Sequence, residues 1–438
     1  LNQRTAIIIG GGMAGKLIAA AISPYFNRVE ILEKDQNPGK NSTVRAGVTQ
    51  GNHIHALLHA GDQALEILFP GFKQDMVSRG SILINSTGDL AWNHHGVWKM
   101  RFKGNDTTLL QTRPLLESYI EERVNFIPNI HYTYGIKVLA YSYQSDKDVI
   151  DGVEILENNE QKHLKANIVI DASGSSSFTK AWLEKQDRFI PEETVEIGLC
   201  YATRQFQLQE QPRNFKIKLI YPEAPSQTLG GTLSMVEDDK YIVTLIGYLN
   251  SLNPADVSSE QGFIEQASKL PLPDLYQELV NGTSLSETKI YKVPQIKWRR
   301  FEKIKLPEGL LVAGDSICRI DPVFGQGMSI AAVEALAIRE FFSEASIPGS
   351  LKKLQKKLAK IVAPVWSMVL CEDFRYPGVK GKKPFGLGFQ QWYVKRIFQL
   401  SAVNRPIYQD FIKVMNLTGS ALILFKPSTI KAVFKTKV

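Results

Sequence analysis

A glycine triad set between a strand and a helix constrains this chain more than any other feature. The β-branched run Thr5 to Ile9 leads into Gly10-Gly11-Gly12-Met13-Ala14-Gly15, and Leu17, Ile18, Ala19, Ala20 and Ile22 then recur at helical spacing. Each glycine answers a steric demand: one permits the turn out of the strand, one lets backbone approach a pyrophosphate, and one lets the helix pack on the strand. A second apolar run, Val29 to Leu32, ends in Glu33, 23 positions after Gly10. A carboxylate there accepts protons from both ribose hydroxyls and repels a 2′-phosphate. Gly10, Gly12, Ala14, Gly15, Glu33 and its neighbour Lys34 are therefore expected to hold an adenine dinucleotide.

Which dinucleotide is decided almost 300 residues later. There Leu310 to Ala313 reads as a buried strand and is followed by Gly314-Asp315, then Asp321-Pro322-Val323-Phe324-Gly325-Gln326-Gly327-Met328, then a helix to about Phe342. NAD does not need a second glycine loop. FAD does, because its length calls for one grip on the adenosine end and another on the ribityl and ring end. No second βαβ unit for NAD(P)H is visible, so the electron donor is expected to be transiently bound NAD(P)H or a partner flavin reductase.

These residues resemble the flavin-dependent monooxygenases of the p-hydroxybenzoate hydroxylase fold, the group A aromatic hydroxylases and polyene epoxidases. The resemblance implies an α/β fold, with a Rossmann-like FAD-binding domain of the GR2 type interleaved with a mixed or antiparallel β-sheet substrate domain and followed by a helical C-terminal region. It implies that Asp315 binds ribitol hydroxyls, that Pro322, Gly325, Gln326 and Gly327 run beside the isoalloxazine, and that Gly314 and Met328 also belong to the cofactor site. Asp171-Ala172-Ser173-Gly174 stands where that family carries its DG element, with two residues between Asp171 and Gly174, and both are expected on the cofactor side. Thr112-Arg113-Pro114 looks like the family's helix-start arginine, suited to a phosphate. The string Gln50-Gly51-Asn52-His53-Ile54-His55 is similar to a QGxHxH segment of bacterial members that lies by the flavin, and Trp366, Asp373, Arg375, Tyr376, Pro377 and Asn416 resemble the same subgroup.

The implied reaction inserts one oxygen atom from O2, by way of a flavin hydroperoxide, into an apolar natural-product-like substrate, as hydroxylation or epoxidation. The cofactor carries the difficult chemistry, so no protein nucleophile is expected. Arg45, His55 and Phe324 are the candidates near the ring. Trp92, Arg204, Tyr221, Met235 and Phe324 are the candidates for substrate contact. The WxWxIP signature of flavin halogenases is absent, which argues against halogenation. The alternative keeps the same FAD grips in a reductase or dehydrogenase acting on C–C bonds of a polyprenyl- or carotenoid-like substrate, and a third reading is a non-catalytic FAD-stabilised binding protein.

Alternating segments between Thr194 and Asn250 predict an antiparallel sheet, and everything past Ser343 reads mostly helical. This places the FAD-binding domain at 1–80, 109–185 and 290–342, the substrate domain at 81–108 and 186–289, and the helical region at 343–438. His53, His55 and His59 have metal-compatible spacings, yet no Asp, Glu or Cys cluster accompanies them, so no metal is expected. Three scattered cysteines suggest neither disulfides nor zinc. The opening carries no leader pattern and no window is long and apolar enough to span a bilayer, so a cytoplasmic protein without an integral membrane segment is expected. The net charge of +8 is uneven, with a cluster at Lys352, Lys353, Lys356, Lys357 and Lys360 and a later run at Lys380, Lys382 and Lys383. Solvated helix faces are the expected reason; peripheral contact with lipid or an acidic carrier protein is the alternative, and no nucleic-acid partner is expected.

Overall fold

The computed structural model describes residues 4–37, 49–55, 57–344 and 350–435. Five parallel strands form its first sheet, in the order Leu310–Val312, Ile168–Asp171, Thr5–Ile9, Arg28–Leu32, Ile130–Thr133. Ile8 lies opposite Ile170 on one side and Ile31 on the other. The central strands of this sheet are buried on both faces, with Ala6 to Ile9 and Ile168 to Asp171 all buried, so they read as continuous apolar runs rather than alternating ones. The helix Met13–Ile22 is buried almost all round, which explains its lack of a polar face.

A second, larger sheet is built around the long strand Glu192–Gln207, which pairs antiparallel with Tyr241–Gly247 and with Lys289–Arg299. Beyond Tyr241–Gly247 come Leu229–Met235, Ile217–Ile220 and then Leu90–His94, the last pair being parallel. The strand Lys289–Arg299 thus belongs to this sheet, although it falls within the stretch 290–342 assigned to nucleotide binding from sequence. Expected strand 131–143 is two strands, Ile130–Thr133 and Lys137–Gln144, because the chain turns at Gly135 with a φ of 71°. The expected 148–156 strand is Val149–Glu157, and Glu160–Lys165, polar and exposed, was not anticipated.

The carboxy-terminal part is helical, as expected: Leu351–Asp373, Leu387–Leu400, Arg405–Met415 and Pro427–Lys435. Leu351–Asp373 buries Leu354 and Leu358 and turns Lys352, Lys353, Lys356, Lys357 and Lys360 to solvent. That run of charge is the solvated face of an amphipathic helix. Cys200, Cys318 and Cys371 are free and buried. Among the described residues, no helix is long and apolar enough to cross a membrane.

Candidate functional site

One cavity of about 560 Å³ runs between the two glycine loops, within the size range of cofactor sites. It begins at Gly10, Gly12, Ala14, Glu33 and Lys34, passes Arg113, Ser173, Gly174 and Asp315, and ends among His53, His55, Tyr201, Tyr291, Arg319 and the segment Pro322 to Met328.

The first loop is held by backbone. Gly15 lies so close to the preceding turn that a Cβ there would sit 1.9 Å from the carbonyl oxygen of Gly10. A Cβ on Gly12 would instead meet no protein atom within 4 Å, because this glycine faces the cavity. Glu33 Oε2 accepts from the Gly11 N–H at 2.9 Å and Oε1 from the Asp35 N–H at 3.0 Å, which fixes the carboxylate at the cavity wall.

The second loop is held by side chains from far away in sequence. Asp321 Oδ1 accepts from the Val323 N–H at 2.8 Å, and Oδ2 from the Tyr248 hydroxyl at 2.7 Å. Asp373 stands beside Asp321, and burial first, then the Asp321 charge, pushes the Asp373 carboxyl well up. Tyr221 donates to the Val323 carbonyl at 2.9 Å, and Gln326 Nε2 to the Met415 carbonyl at 3.3 Å. Upstream, the Gly314 N–H donates to Glu334 Oε2 at 2.7 Å, and burial raises the Glu334 carboxyl to about 8. Gly314 has a φ of 63° and stands against Ala14, whose Cβ would be 2.8 Å from a Cβ at 314. That contact brings the two loops together.

The helices Met13–Ile22 and Gly327–Ser343 both open on the cavity, and neither carries an acidic residue in its first turn. Two uncompensated positive helix ends favour a bound anion. Arg113, buried and bonded to Glu117 at 2.8 Å, adds a cation. Asp315 is open to the cavity and walled in by protein. That enclosure raises its carboxyl, opposed by Arg319, Arg113 and Arg299. Burial lowers His53 to about 4, and burial followed by Arg113 lowers His55 to about 3, so both imidazoles are neutral near pH 7. His53 Nδ1 meets Thr203 Oγ1 at 2.7 Å while its Nε2 has no partner. His55 Nδ1 faces the His53 carbonyl at 2.8 Å, so this nitrogen carries the proton and Nε2 is an acceptor.

Of the residues expected at a cofactor, Gly10, Gly12, Ala14, Glu33, Lys34, Arg113, Gly174, Asp315, Pro322, Gly325, Gln326, Gly327 and Met328 line this cavity. Gly15 and Gly314 shape it from behind. Arg45 lies outside the described residues. Asp171 does not face the cavity: wholly buried, it accepts from the N–H groups of Ser173 (2.9 Å) and Thr179 (2.8 Å) and from Ser177 and Ser316 hydroxyls, tying the turn 171–177 to the second loop.

None of the five expected substrate contacts lines the cavity. Trp92 is packed among Tyr221, Phe398 and Phe411. Arg204 points to the opposite face of its sheet, bonded to Thr288, Ser284, Ser286 and Ser258. Met235 joins the apolar cluster under the helices of 260–279. Tyr221 and Phe324 border a separate space of about 20 Å³ together with His94, Tyr248, Glu372 and Tyr376. The cavity's own walls are instead His53, Tyr201, Tyr291 and Arg319, whose guanidinium donates to the Tyr291 hydroxyl at 2.9 Å.

The histidines of the 53–59 string point to different partners: Thr203, the His53 carbonyl and the Thr107 carbonyl. Among the described residues, a group with metal-like spacing is His94, His95 and Glu372. Arg375 already binds both oxygens of that carboxylate, at 2.8 and 3.0 Å, and Lys99 stands beside it, so the group is a buried ion-pair knot that repels a cation.

Comparison with known proteins places this architecture. No family model matches the chain. The Mycobacterium tuberculosis (strain ATCC 25618 / H37Rv) protein described as Protein Rv3254 is 26% identical over 391 residues, covering 85% of this chain and 80% of that protein. Among solved structures, the flavin-dependent brominase Bmp2 aligns with a TM-score of 0.67 at 14% identity, over 98% of this chain and 99% of that one. The p-nitrophenol 4-monooxygenase PnpA from Pseudomonas putida DLL-E4 aligns at 0.67 and 15% identity, over 95% and 99%. The tetrameric form of 2-methyl-3-hydroxypyridine-5-carboxylic acid oxygenase aligns at 0.62 and 16%, over 96% and 99%. The chain therefore has the fold of flavin-dependent monooxygenases and halogenases, the fold its sequence resembles.

Proposed function

We propose that the cavity holds FAD without a covalent link and that the chain is an FAD-dependent monooxygenase, inserting one oxygen atom from O2 into an apolar, natural-product-like small molecule. The observation carrying this reading is that a single cavity touches both glycine loops, with Glu33 at one end and the segment Pro322 to Met328 at the other. The residues fit the group. Glu33 would accept ribose hydroxyls, the two helix starts and Arg113 would face the pyrophosphate, and Asp315 would accept ribityl hydroxyls. The open sides of Gly12, Gly174 and Gly327, where a Cβ would meet nothing within 4 Å, leave room for it.

Bound and reduced, the flavin would supply the activation of O2. The chain's own work is orientation and exclusion of water. Tyr201 and Tyr291 wall the ring end. The unpartnered His53 Nε2 there is a buried polar atom that a ligand would satisfy. Neutral His53 and His55 leave that end free of positive charge from their imidazoles, in keeping with an apolar substrate.

Bmp2 is a brominase, so the same fold also serves halogenation; the missing WxWxIP signature favours oxygen insertion here. The test is turnover of a panel of apolar arenes and alkenes under isotope-labelled O2, with NADPH or a flavin reductase as electron source. One labelled oxygen atom in the product is expected. A halogenated product, an unlabelled product, or equal turnover without O2 would overturn the reading, the last in favour of a reductase.

A further inference from the structure

The end of the chain differs from the rest in charge. Residues 380–438 contain eleven lysines and arginines and a single acid, Asp410, while the whole chain has a net charge of only +8. The remainder is thus slightly negative, and the basic excess belongs to one segment. Asp410 is itself spent on Lys426, at 2.7 Å.

The same segment leaves several large apolar side chains in the open. Phe385 is 100% exposed, Leu422 76% and Phe434 63%, with Phe389, Phe425 and Trp392 also exposed. Phe389, Trp392, Phe425 and Phe434 form one surface. Phe389 and Trp392 meet at 5.7 Å, Trp392 and Phe434 at 5.1 Å, and Phe425 stacks at 4.9 Å on Tyr393, which Phe389 also touches. Three elements contribute: the helix Leu387–Leu400, the turn Ala421–Phe425 and the helix Pro427–Lys435. In the last, Ile430 and Phe434 share one stripe, and Lys431 and Lys435 share the adjacent one. The tyrosine hydroxyl of Tyr393 donates to the Leu424 carbonyl at 2.6 Å, so the surface is braced from within.

We propose that this aromatic, lysine-rimmed surface docks the protein on an anionic lipid bilayer. Exposed apolar patches of this kind mark an interaction site, and the composition selects the partner. Protein interfaces favour arginine and are depleted in lysine, whereas this rim is mainly lysine. Lysines around projecting Trp and Phe suit a fluid, negatively charged surface: the rings enter the headgroup boundary and the ammonium groups reach phosphates. The exposed lysines of Leu351–Asp373 lack such aromatics and belong to a solvated face. This proposal is independent of what the main cavity binds.

The test is co-sedimentation of the full chain with phosphatidylglycerol-rich vesicles and with pure phosphatidylcholine vesicles. Binding is expected to the first, at least about tenfold stronger than to the second, and to weaken with salt. Trp392→Ser with Phe434→Ser, and separately Lys431→Glu with Lys435→Glu, should each weaken it by about tenfold or more while circular dichroism and the thermal midpoint stay as in the parent. Lipids brominated in their chains should quench tryptophan emission in the parent and markedly less in Trp392→Phe. The proposal is overturned by absence of binding to anionic vesicles, by variants that bind as the parent does, or by a dimer that these substitutions dissociate, since a second copy would then cover the surface.

Discussion

The two glycine loops that close on the cavity are built by opposite means. In the first, the constraint is local: strand, turn and helix follow one another, and the decisive contact, Gly15 against the Gly10 carbonyl, spans a few residues. The second loop is positioned by Tyr221, Tyr248 and the Met415 carbonyl, drawn from beside the large sheet and from the carboxy-terminal helices, and by Glu334 of the helix that follows it. A loop defined by sterics fails abruptly when a methyl group is added, while one defined by distributed hydrogen bonds loosens by degrees.

The largest expected effect sharpens that contrast within the first loop itself. Gly15→Ala drives a Cβ into backbone on the facing turn and should cost about 3 kcal/mol or more, read as a shift in the urea midpoint or as loss of soluble protein. Gly12→Ala, with ordinary backbone angles and no protein atom within reach, should melt as the parent does yet hold FAD at least about tenfold more weakly, because the methyl group occupies the pyrophosphate path. Asp315→Ala should likewise lose FAD while keeping the fold. A purified yellow protein from Asp315→Ala, or a Gly12→Ala variant that binds FAD as tightly as the parent, counts against the assignment.

In the second loop the effects should be smaller. Asp321→Ala leaves the Tyr248 hydroxyl and the Val323 N–H without partners, at about 1–3 kcal/mol for each buried group so orphaned, and FAD affinity should fall with stability. If Asp321→Ala left both unchanged, the loop would not be held as described. At about pH 5 the smallest effect is that of Glu334→Gln, and it grows as pH rises. The folded-state Glu334 carboxyl is raised from 4.5 to about 8, so the folded chain holds a proton that the unfolded chain has lost; the associated stability is present below pH 4.5 and is lost as pH rises through about 8. Glu334→Gln keeps the acceptor for the Gly314 N–H and cannot ionise. Its stability should gain on the parent steadily between about pH 5 and about pH 9 in denaturant titrations, and parallel curves would refute the buried, protonated acid.

The same contrast explains what could be read from the sequence. The first loop, Glu33, and the run from Asp315 to Met328 were legible because short-range sterics write themselves as spacing. Arg204 was misjudged by the two-residue period of a strand: Tyr201 and Thr203 face the cavity side of Glu192–Gln207, while Cys200, Ala202, Arg204 and Phe206 face the helices of 260–279. Nothing local reveals which face is which. Trp92 is covered by helices that arrive about three hundred residues later, through Phe398 and Phe411, and no local pattern announces them. His53 belongs to the Gln50 to His55 string, whereas Arg319 lies between Gly314-Asp315 and Asp321 without belonging to either, and proximity is its only signal.

The most direct test is to purify the chain, release any bound flavin by heat and identify it by chromatography, with reconstitution by added FAD where the chain is purified empty. Equimolar FAD, retained by the parent and lost together in Gly12→Ala at one loop and Asp315→Ala at the other, is what a cavity clasped from both ends requires. A chain that holds no FAD even when it is supplied, or that holds FMN or NAD instead, would contradict the account.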